Sequence, residues 1–247
     1  MENLDENIYH KIQEIFGSIP AKFSVLEEEI DIEQQMEYFE FSKIHKNELS
    51  KQEIIQRKEK LFDQKISIYD KKLLLVQLAA LEEVTAYRTI EQYLKNPDAK
   101  LKKWAILAFQ ESRMVLETSL LEENQVFIST GLGGKGKKLR YFIVLIYKKD
   151  KNIGTVQHKV ISNEFSYILN KYDSEIEEID YNHNYSKLKV LIPINIPINE
   201  VLARAINECN QFGDFIEQDF IITNVKVLDD NEIHDFLVKK NKKKKNE

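Results

Sequence analysis

The most unusual segment of the sequence is a glycine- and lysine-rich stretch near its middle, from Ser129 to Arg140. It holds four of the chain's seven glycines and four cationic side chains. Glycine allows backbone conformations in which successive N–H groups point at one anion, and the cations add positive charge. The stretch is therefore a candidate site for a phosphate, a carboxylate or a nucleic-acid backbone. The candidate binding residues are Ser129, Thr130, Gly131, Gly133, Gly134, Lys135, Gly136, Lys137, Lys138 and Arg140.

This stretch departs from the known nucleotide-binding motifs. Gly131 and Gly136-Lys137 match the spacing of a P-loop, but Lys138 stands where the motif has Ser or Thr. A strand rather than a helix is predicted to follow, so no helix N-terminus lies behind the glycines. Two other interpretations stay open: a mobile hairpin loop between two strands, and a docking site for a protein partner.

No residue pattern indicates catalysis or a resident metal. The five histidines (10, 45, 158, 183 and 234) are scattered, and no HExxH motif occurs. The single cysteine, Cys209, lies on the predicted apolar stripe of a helix, where a small core residue is expected. Ser129 lacks the GxSxG pattern of a nucleophile elbow. We therefore predict no catalytic residues, no metal ligands and no cofactor.

The composition of the 247 residues favours a folded protein of a reducing compartment. Hydrophobic residues make up 43% and charged residues 31%, enough apolar material for a core. One cysteine excludes an intramolecular disulfide, the N-terminus from Met1 to His10 is acidic and polar rather than signal-like, and no apolar run reaches membrane-spanning length. A cytoplasmic location without a membrane span is expected. The low glycine and high lysine and isoleucine content is consistent with a bacterial protein.

The charge is unevenly distributed along the chain. The net charge is −5, but the last nine residues, Lys239–Glu247, carry six lysines and one glutamate. The rest of the chain is therefore strongly acidic, whereas proteins that hold nucleic acid usually have a basic body. This favours a protein partner over a nucleic acid and predicts a disordered basic tail over 239–247.

Residues 1–123 are predicted to form a helical domain. Apolar spacing indicates helices over 3–16 and 31–45, the second with Met36, Phe39 and Ile44 facing inward. A capping box, Ser50 to Glu53, opens a helix running to about Gln64. One helix capped by Asp70 is expected to end before Pro97, and another starts after Asp98.

The segment from Asn96 to Ala108 resembles the turn and second helix of a HEAT-type repeat. It has an aspartate at the turn, basic residues, then small and apolar residues. The resemblance covers about 70–121 and implies stacked antiparallel helices with an extended interaction surface. An irregular helical bundle is the alternative.

Residues 124–238 are predicted to form an α+β domain. Val126–Thr130 reads as a short strand, and from Leu139 onward the predicted order is β-α-β-β-α-β. This order over about 139–228 resembles the ferredoxin-like split βαβ arrangement. The fold class is therefore α+β: a helical N-terminal half, then a ferredoxin-like domain with an extra N-terminal strand. Tyr141, Phe142, Tyr147 and Tyr181 are candidates for a base-stacking platform, although core packing is expected for most of them.

Three functional hypotheses follow. The first is a non-enzymatic adaptor that binds a macromolecular partner. The second is an RNA- or ribosome-associated protein that uses the loop 131–140 and the basic tail. The third is an anion- or nucleotide-binding regulator. The first is favoured, and the oligomeric state is left open.

Overall fold

The computed structural model describes residues 23–121, 125–149, 151 and 153–243. The chain is α+β, with its helices mostly in the N-terminal half, as predicted. It divides into two compact units. The helical unit comprises Ala21–Leu26 and Ile30–Ser129, and the sheet unit includes Glu27–Glu29 and Thr130–Glu247. The helix predicted over 3–16 lies outside the described residues.

The helical unit contains five α-helices, two short 3₁₀ helices and a small two-stranded parallel sheet. Its strands β1 and β2 pair with each other, so the N-terminal half is mostly rather than wholly helical. The elements are β1 (Phe23–Val25), α1 (Ile32–His45), α2 (Lys51–Arg57), a 3₁₀ helix (Lys58–Phe62), α3 (Ile68–Ala79), α4 (Val84–Leu94), a 3₁₀ helix (Ala99–Leu101), α5 (Lys102–Leu121) and β2 (Val126–Ile128).

The core of the helical unit forms where α3 and α4 pack on α5. Small residues, Ala79, Ala105 and Ala108, are fully buried and let the helix backbones approach closely. Trp104 closes the core near α1, with its ring 5.2 Å from that of Tyr38 in an edge-to-face contact.

The predicted orientation of α1 was wrong. Met36, Phe39 and Ile44 were expected inside, but they are 57%, 42% and 69% exposed. The buried residues are polar: Gln35, Tyr38 and Ser42. Hydrophobic periodicity assumes that the apolar side of a helix faces the core, and here hydrogen bonds hold the polar side there instead.

The helix predicted from Asp70 to before Pro97 is two helices. α3 ends at Ala79 and α4 begins at Val84. The N-cap of α3 is Ser67 rather than Asp70. The Asp70 amide donates to the Ser67 hydroxyl at 3.1 Å, and that hydroxyl donates to the Asp70 carboxylate at 2.6 Å. By contrast, the Ser50–Glu53 capping box of α2 is confirmed.

The turn between α4 and α5 is held by a buried lysine. Lys71 of α3 is only 2% exposed. Its ammonium lies 2.7 Å from the Asp98 carboxylate, which also accepts from the Tyr93 hydroxyl at 2.6 Å. Hydrogen bonds from Lys71 and then from Tyr93 lower the pKa of Asp98. The aspartate at the turn, which carried the HEAT resemblance, therefore links all three core helices.

The sheet unit is built on a five-stranded antiparallel sheet. Its elements are β3 (Gly134–Lys135), β4 (Lys138–Tyr147), α6 (Thr155–Asn170), β5 (Glu175–Tyr181), β6 (Tyr185–Pro193), α7 (Ile198–Asn210), β7 (Ile216–Thr223) and α8 (Asp230–Lys243). Across the sheet the order is β7-β4-β6-β5, and β3 shares one edge of β4 with β7. From β4 onward this is the split βαβ arrangement that the sequence predicted.

The two faces of the sheet are covered differently. Tyr141, Ile143 and Tyr147 of β4 are buried, and α6 and α7 pack against β5 and β7. Phe142 and Val144 pack with Leu228, just before α8, and with Ile233 in its first turn. The extra strand, predicted over Val126–Thr130, forms as β2 but pairs with β1 instead of joining this sheet. The last helix extends to Lys243, into the segment expected to be disordered, and 244–247 lie outside the described residues.

The Lys71–Asp98 pair predicts a specific stability difference. Asp98→Ala leaves a buried ammonium without its carboxylate, so we expect a loss of about 3 kcal/mol in the free energy of unfolding. Lys71→Met keeps the aliphatic stem and removes the charge, so it should cost clearly less. Urea denaturation of both variants measures this.

The same pair predicts an acid dependence. Because the folded-state pKa of Asp98 is lowered, its contribution is present above the ordinary aspartate pKa and is lost as pH falls through the lowered value. Wild type should lose more stability between pH 5 and about pH 3 than Lys71→Met/Asp98→Asn. Parallel pH profiles for the two proteins would contradict this.

Candidate functional site

The glycine–lysine stretch has a buried part and an exposed tip. Thr130–Gly134 is buried, and only Lys135, Gly136 and Lys137 of the stretch are exposed. Lys138, Leu139 and Arg140 begin β4. Ser129 belongs to the helical unit, where its hydroxyl donates to the Gln35 side chain. The structure therefore brings Thr130–Arg140 together in the sheet unit and assigns Ser129 to the other unit.

Two glycines in the buried part are required for close backbone packing. A Cβ at Gly131 would lie 1.7 Å from the Val225 carbonyl oxygen. A Cβ at Gly133 would lie 2.6 Å from the carbonyl oxygens of both Glu27 and Glu28, and Gly133 also has a φ of +68°. No L-residue side chain fits at either position. These glycines let the loop pack between two neighbouring segments.

The polar groups of the buried part are used inside the protein. The Leu132 amide donates to the Asn224 carbonyl at 3.0 Å, and the Gly133 amide donates to the Thr130 carbonyl at 3.2 Å. The Thr130 hydroxyl donates to the Gly133 carbonyl at 3.2 Å. These amides are directed at carbonyl oxygens of the loop and its neighbours rather than converging on an open anion position.

The exposed tip is a two-residue hairpin turn. β3 pairs with β4 through Gly134–Leu139 and Lys135–Lys138, leaving Gly136 and Lys137 in the turn. Gly136 has a φ of +61°, which suits glycine at the first position of such a turn. Its amide donates to the Glu27 carboxylate at 3.3 Å. A carboxylate of the chain itself thus occupies this donor of the tip.

Arg140 connects the loop to two other parts of the sheet unit, at Glu177 and Glu27. Its Nε and Nη2 donate to the two Glu177 carboxylate oxygens at 2.5 and 2.9 Å, forming a two-pronged ion pair. Its Nη1 donates to the Leu132 carbonyl at 2.7 Å and to the Glu27 carbonyl at 3.2 Å. The Arg140 side chain is 16% exposed. Its donors hold the protein's own acceptors.

Glu177, the partner of Arg140, lies at a β-bulge in β5, on the far side of β6. The pairing of β5 with β6 shifts between Ile176 and Glu178, so Glu177 is the extra residue. Glu178, next along β5, pairs with Lys189 at 3.4 Å. The guanidinium lowers the pKa of Glu177, and Glu177 raises the pKa of Arg140. The Arg140 and Glu177 side chains are only partly buried, so they form a partly exposed ion pair rather than a deeply buried one.

Two further cations of the stretch, Lys138 and Lys135, also interact with acids. The Lys138 ammonium is 3.2 Å from Asp173 and 3.7 Å from Glu175. Lys135 contributes to lowering the pKa of Glu177. Together with the exposed Glu27–Glu29 segment, these carboxylates offset the positive charge that the sequence concentrates here. The surface around the tip is of mixed charge rather than basic.

Sequence reasoning missed the acidic partners of the loop. The Glu27–Glu29 side chains are exposed, but the Glu27 carboxylate and the Glu27 carbonyl accept hydrogen bonds from Gly136 and Arg140. Glu177 carried no sequence signal, because a bulge cannot be read from alternation alone. One feature of the sequence could have indicated these acidic partners: four cations lie in one stretch, and three consecutive glutamates lie in another.

The proposed aromatic stacking platform is not available as a surface. Tyr141, Phe142 and Tyr147 are 9%, 3% and 5% exposed and serve as core residues. Tyr181 stacks on the His158 ring, with centroids 4.1 Å apart. Core packing, the alternative expectation for most of them, describes Tyr141, Phe142 and Tyr147, whereas Tyr181 is half-buried.

A second candidate surface lies on the helical unit. We define the outer face of α1 by its apolar residues Ile32, Met36, Phe39 and Ile44, its acids Glu33, Glu37 and Glu40, and Lys43. Met36, Phe39 and Ile44 are exposed and Ile32 is half-buried. Spacings of three and four residues place Ile32, Met36, Phe39 and Lys43 along one side of the helix.

The opposite face of α1 is fixed by hydrogen bonds. The Gln35 amide donates to the Ile30 carbonyl at 2.6 Å. The Tyr38 hydroxyl donates to the Glu111 carboxylate at 2.6 Å, and the Ser42 hydroxyl does so at 3.1 Å. Burial and then the Glu111 charge raise the pKa of Tyr38 well above its ordinary value, so it stays a donor. These bonds hold α1 with its apolar residues outward.

Comparison of the sequence with protein-family models finds no match, and comparison with curated proteins finds none either. In the part of the chain that the structure describes, no helix is long and apolar enough to cross a membrane. Within the same residues, no group of three or more histidine, cysteine and acidic side chains is arranged to hold a metal ion.

The packing of Gly131 predicts which glycine the fold requires. Gly131→Ala should cost more than about 2 kcal/mol of the free energy of unfolding, because the methyl group meets the Val225 backbone. Gly154→Ala is the matched control, since a methyl group there would meet only the Gln157 side chain, at an ordinary contact distance of 3.8 Å, and it should change stability by less than about 1 kcal/mol. Equal unfolding midpoints for the two variants would contradict the packing role.

Proposed function

We propose that the chain is a non-enzymatic interaction protein of a reducing, cytoplasmic compartment, and that it binds a protein partner through the outer face of α1. The observation that carries the proposal is the exposure of Met36, Phe39 and Ile44 on one rigidly held helix. Scattered apolar side chains are ordinary on protein surfaces, but Met36 and Phe39 are neighbours one turn apart and, with half-buried Ile32, form an apolar patch typical of an interaction site. Ile44 lies further round the helix, on the side of the acids.

The exposure of these residues has no evident role in folding. The buried side of α1 is already hydrogen-bonded through Gln35, Tyr38 and Ser42. Met36 and Ile44 take no part in these hydrogen bonds, and Phe39 adds an edge-to-face contact with Tyr38. Methionine and phenylalanine are also enriched at protein interfaces. Both points favour a face retained for binding.

The glycine–lysine stretch supports a protein partner more than a nucleic acid. Arg140 and Lys138 are paired with Glu177 and with Asp173 and Glu175. Binding to a phosphate backbone draws on cations that can release counterions, and cations engaged with carboxylates contribute less. The anion-binding role of the stretch stays a prediction, carried now by Lys135 and Lys137 at the tip.

A tagged pull-down from native lysate, run with and without nuclease, tests the proposal with three variants. Met36→Ser/Phe39→Ser/Ile44→Ser changes the outer face of α1. Lys135→Gln/Lys137→Gln changes the loop tip. Leu120→Ser/Val156→Ser is the control, because both residues are apolar and highly exposed but lie elsewhere. Circular dichroism checks that each variant folds.

We expect a discrete protein partner that survives nuclease and is lost only with the α1 variant. Nucleic acid that is retained by wild type and released by the loop-tip variant would contradict the proposal in favour of an RNA-associated protein. A partner retained equally by all variants would show that the outer face of α1 is not the binding surface.

A further inference from the structure

We infer that the outer face of α1 takes a basic amphipathic α-helix of a partner protein. The inference rests on the proposed function and adds the chemical class of the partner. Its two supports are the shape of the apolar residues along α1 and the arrangement of the charges beside them.

The apolar residues have the spacing that accepts a helix. Ile32, Met36 and Phe39 follow one another at intervals of four and three residues, so they form a ridge along the helix. α1 has 14 residues and is therefore about 21 Å long, which matches a partner helix of about four turns. The flexible Met36 side chain can adapt to the knobs of such a helix.

The acids lie on one side of this ridge. Glu33, Glu37 and Glu40 are all exposed and follow the same helical spacing one residue further along. Glu37 is paired with Lys72 at 2.7 Å, so its charge is partly offset. Glu33 and Glu40 are exposed to solvent. A partner helix lying on the ridge would place its flanking residues beside these carboxylates, where lysine or arginine is favoured.

The ridge is also backed by a rigid surface. The Phe39 ring contacts the Tyr38 ring edge-to-face, with centroids 5.3 Å apart. Tyr38 is fully buried and bonded to Glu111. A partner would therefore meet a Phe39 ring that already packs on a fixed neighbour, which lowers the entropic cost of ordering this side chain on binding.

A substitution at Lys43 should strengthen binding of a basic helix, whereas the other substitutions on the outer face of α1 should weaken it. It is exposed on the ridge, in the last turn of α1. Its positive charge opposes a basic partner and would favour an acidic one. Lys43→Glu should therefore strengthen binding of a basic helix, an effect that nonspecific apolar stickiness does not produce.

The probes are two synthetic helical peptides of about four turns, measured by fluorescence anisotropy on the full chain. Both carry leucines along one face; one has lysines elsewhere and the other has glutamates. We expect the basic peptide to bind at least about tenfold more tightly than the acidic one at low salt. Glu33→Gln/Glu40→Gln should abolish most of that preference, and Lys43→Glu should increase it. Met36→Ser/Phe39→Ser/Ile44→Ser should weaken binding at least about tenfold.

Leu120→Ser/Val156→Ser should bind both peptides as wild type does. Equal affinity for the two peptides, or no binding of either, overturns the inference. So does self-association of the wild type that the α1 variant abolishes in light scattering, because the face would then take a second copy of this chain.

Failure here and failure of the proposed function are distinguishable. If the peptides are not discriminated but the pull-down partner still depends on Met36, Phe39 and Ile44, the face binds a protein of another kind and the proposed function stands. If the pull-down partner is also indifferent to these residues, both fail.

Discussion

The arrangement of the glycine–lysine stretch depends on the hydrogen bonds that the Arg140 guanidinium donates. One guanidinium donates to the Glu177 carboxylate in the β5 bulge, to the Leu132 carbonyl in the loop and to the Glu27 carbonyl. A planar group with donors on several sides can hold acceptors from three segments at once, and lysine cannot. Gly131 and Gly133 then allow the backbones to come within contact distance.

This constraint changes the interpretation of the most conspicuous feature of the sequence. Four glycines and four cations suggested a site for a phosphate or a nucleic acid, but the chain supplies its own anions. The Glu27 carboxylate accepts from the Gly136 amide, and Asp173 and Glu175 lie beside Lys138. What remains exposed is a small hairpin tip. The larger unexplained surface is the outer face of α1, where the apolar residues that a core would use are turned toward solvent.

The sequence predicted the parts of the fold that depend on local patterns. The Ser50–Glu53 capping box and the β-α-β-β-α-β order follow from neighbouring residues, and both form. The orientation of α1 could not be predicted, because it depends on Glu111, which lies far along the chain from Tyr38 and accepts its hydroxyl. The contact of Glu177 with Arg140 and the approach of Glu27 to the loop are likewise long-range. The sequence therefore showed which residues make up the candidate site but not which acidic residues pair with them.

A double-mutant cycle on Arg140 and Glu177 tests the central claim most directly. The free energy of unfolding would be measured by urea denaturation for wild type, Arg140→Met, Glu177→Gln and the double variant. We expect Arg140→Met to cost more than Glu177→Gln, because it also strands the Leu132 and Glu27 carbonyls, with a coupling energy of about 1 kcal/mol or more. Additive effects with a coupling below about 0.3 kcal/mol would contradict the account and leave Arg140 as an ordinary surface cation of the stretch.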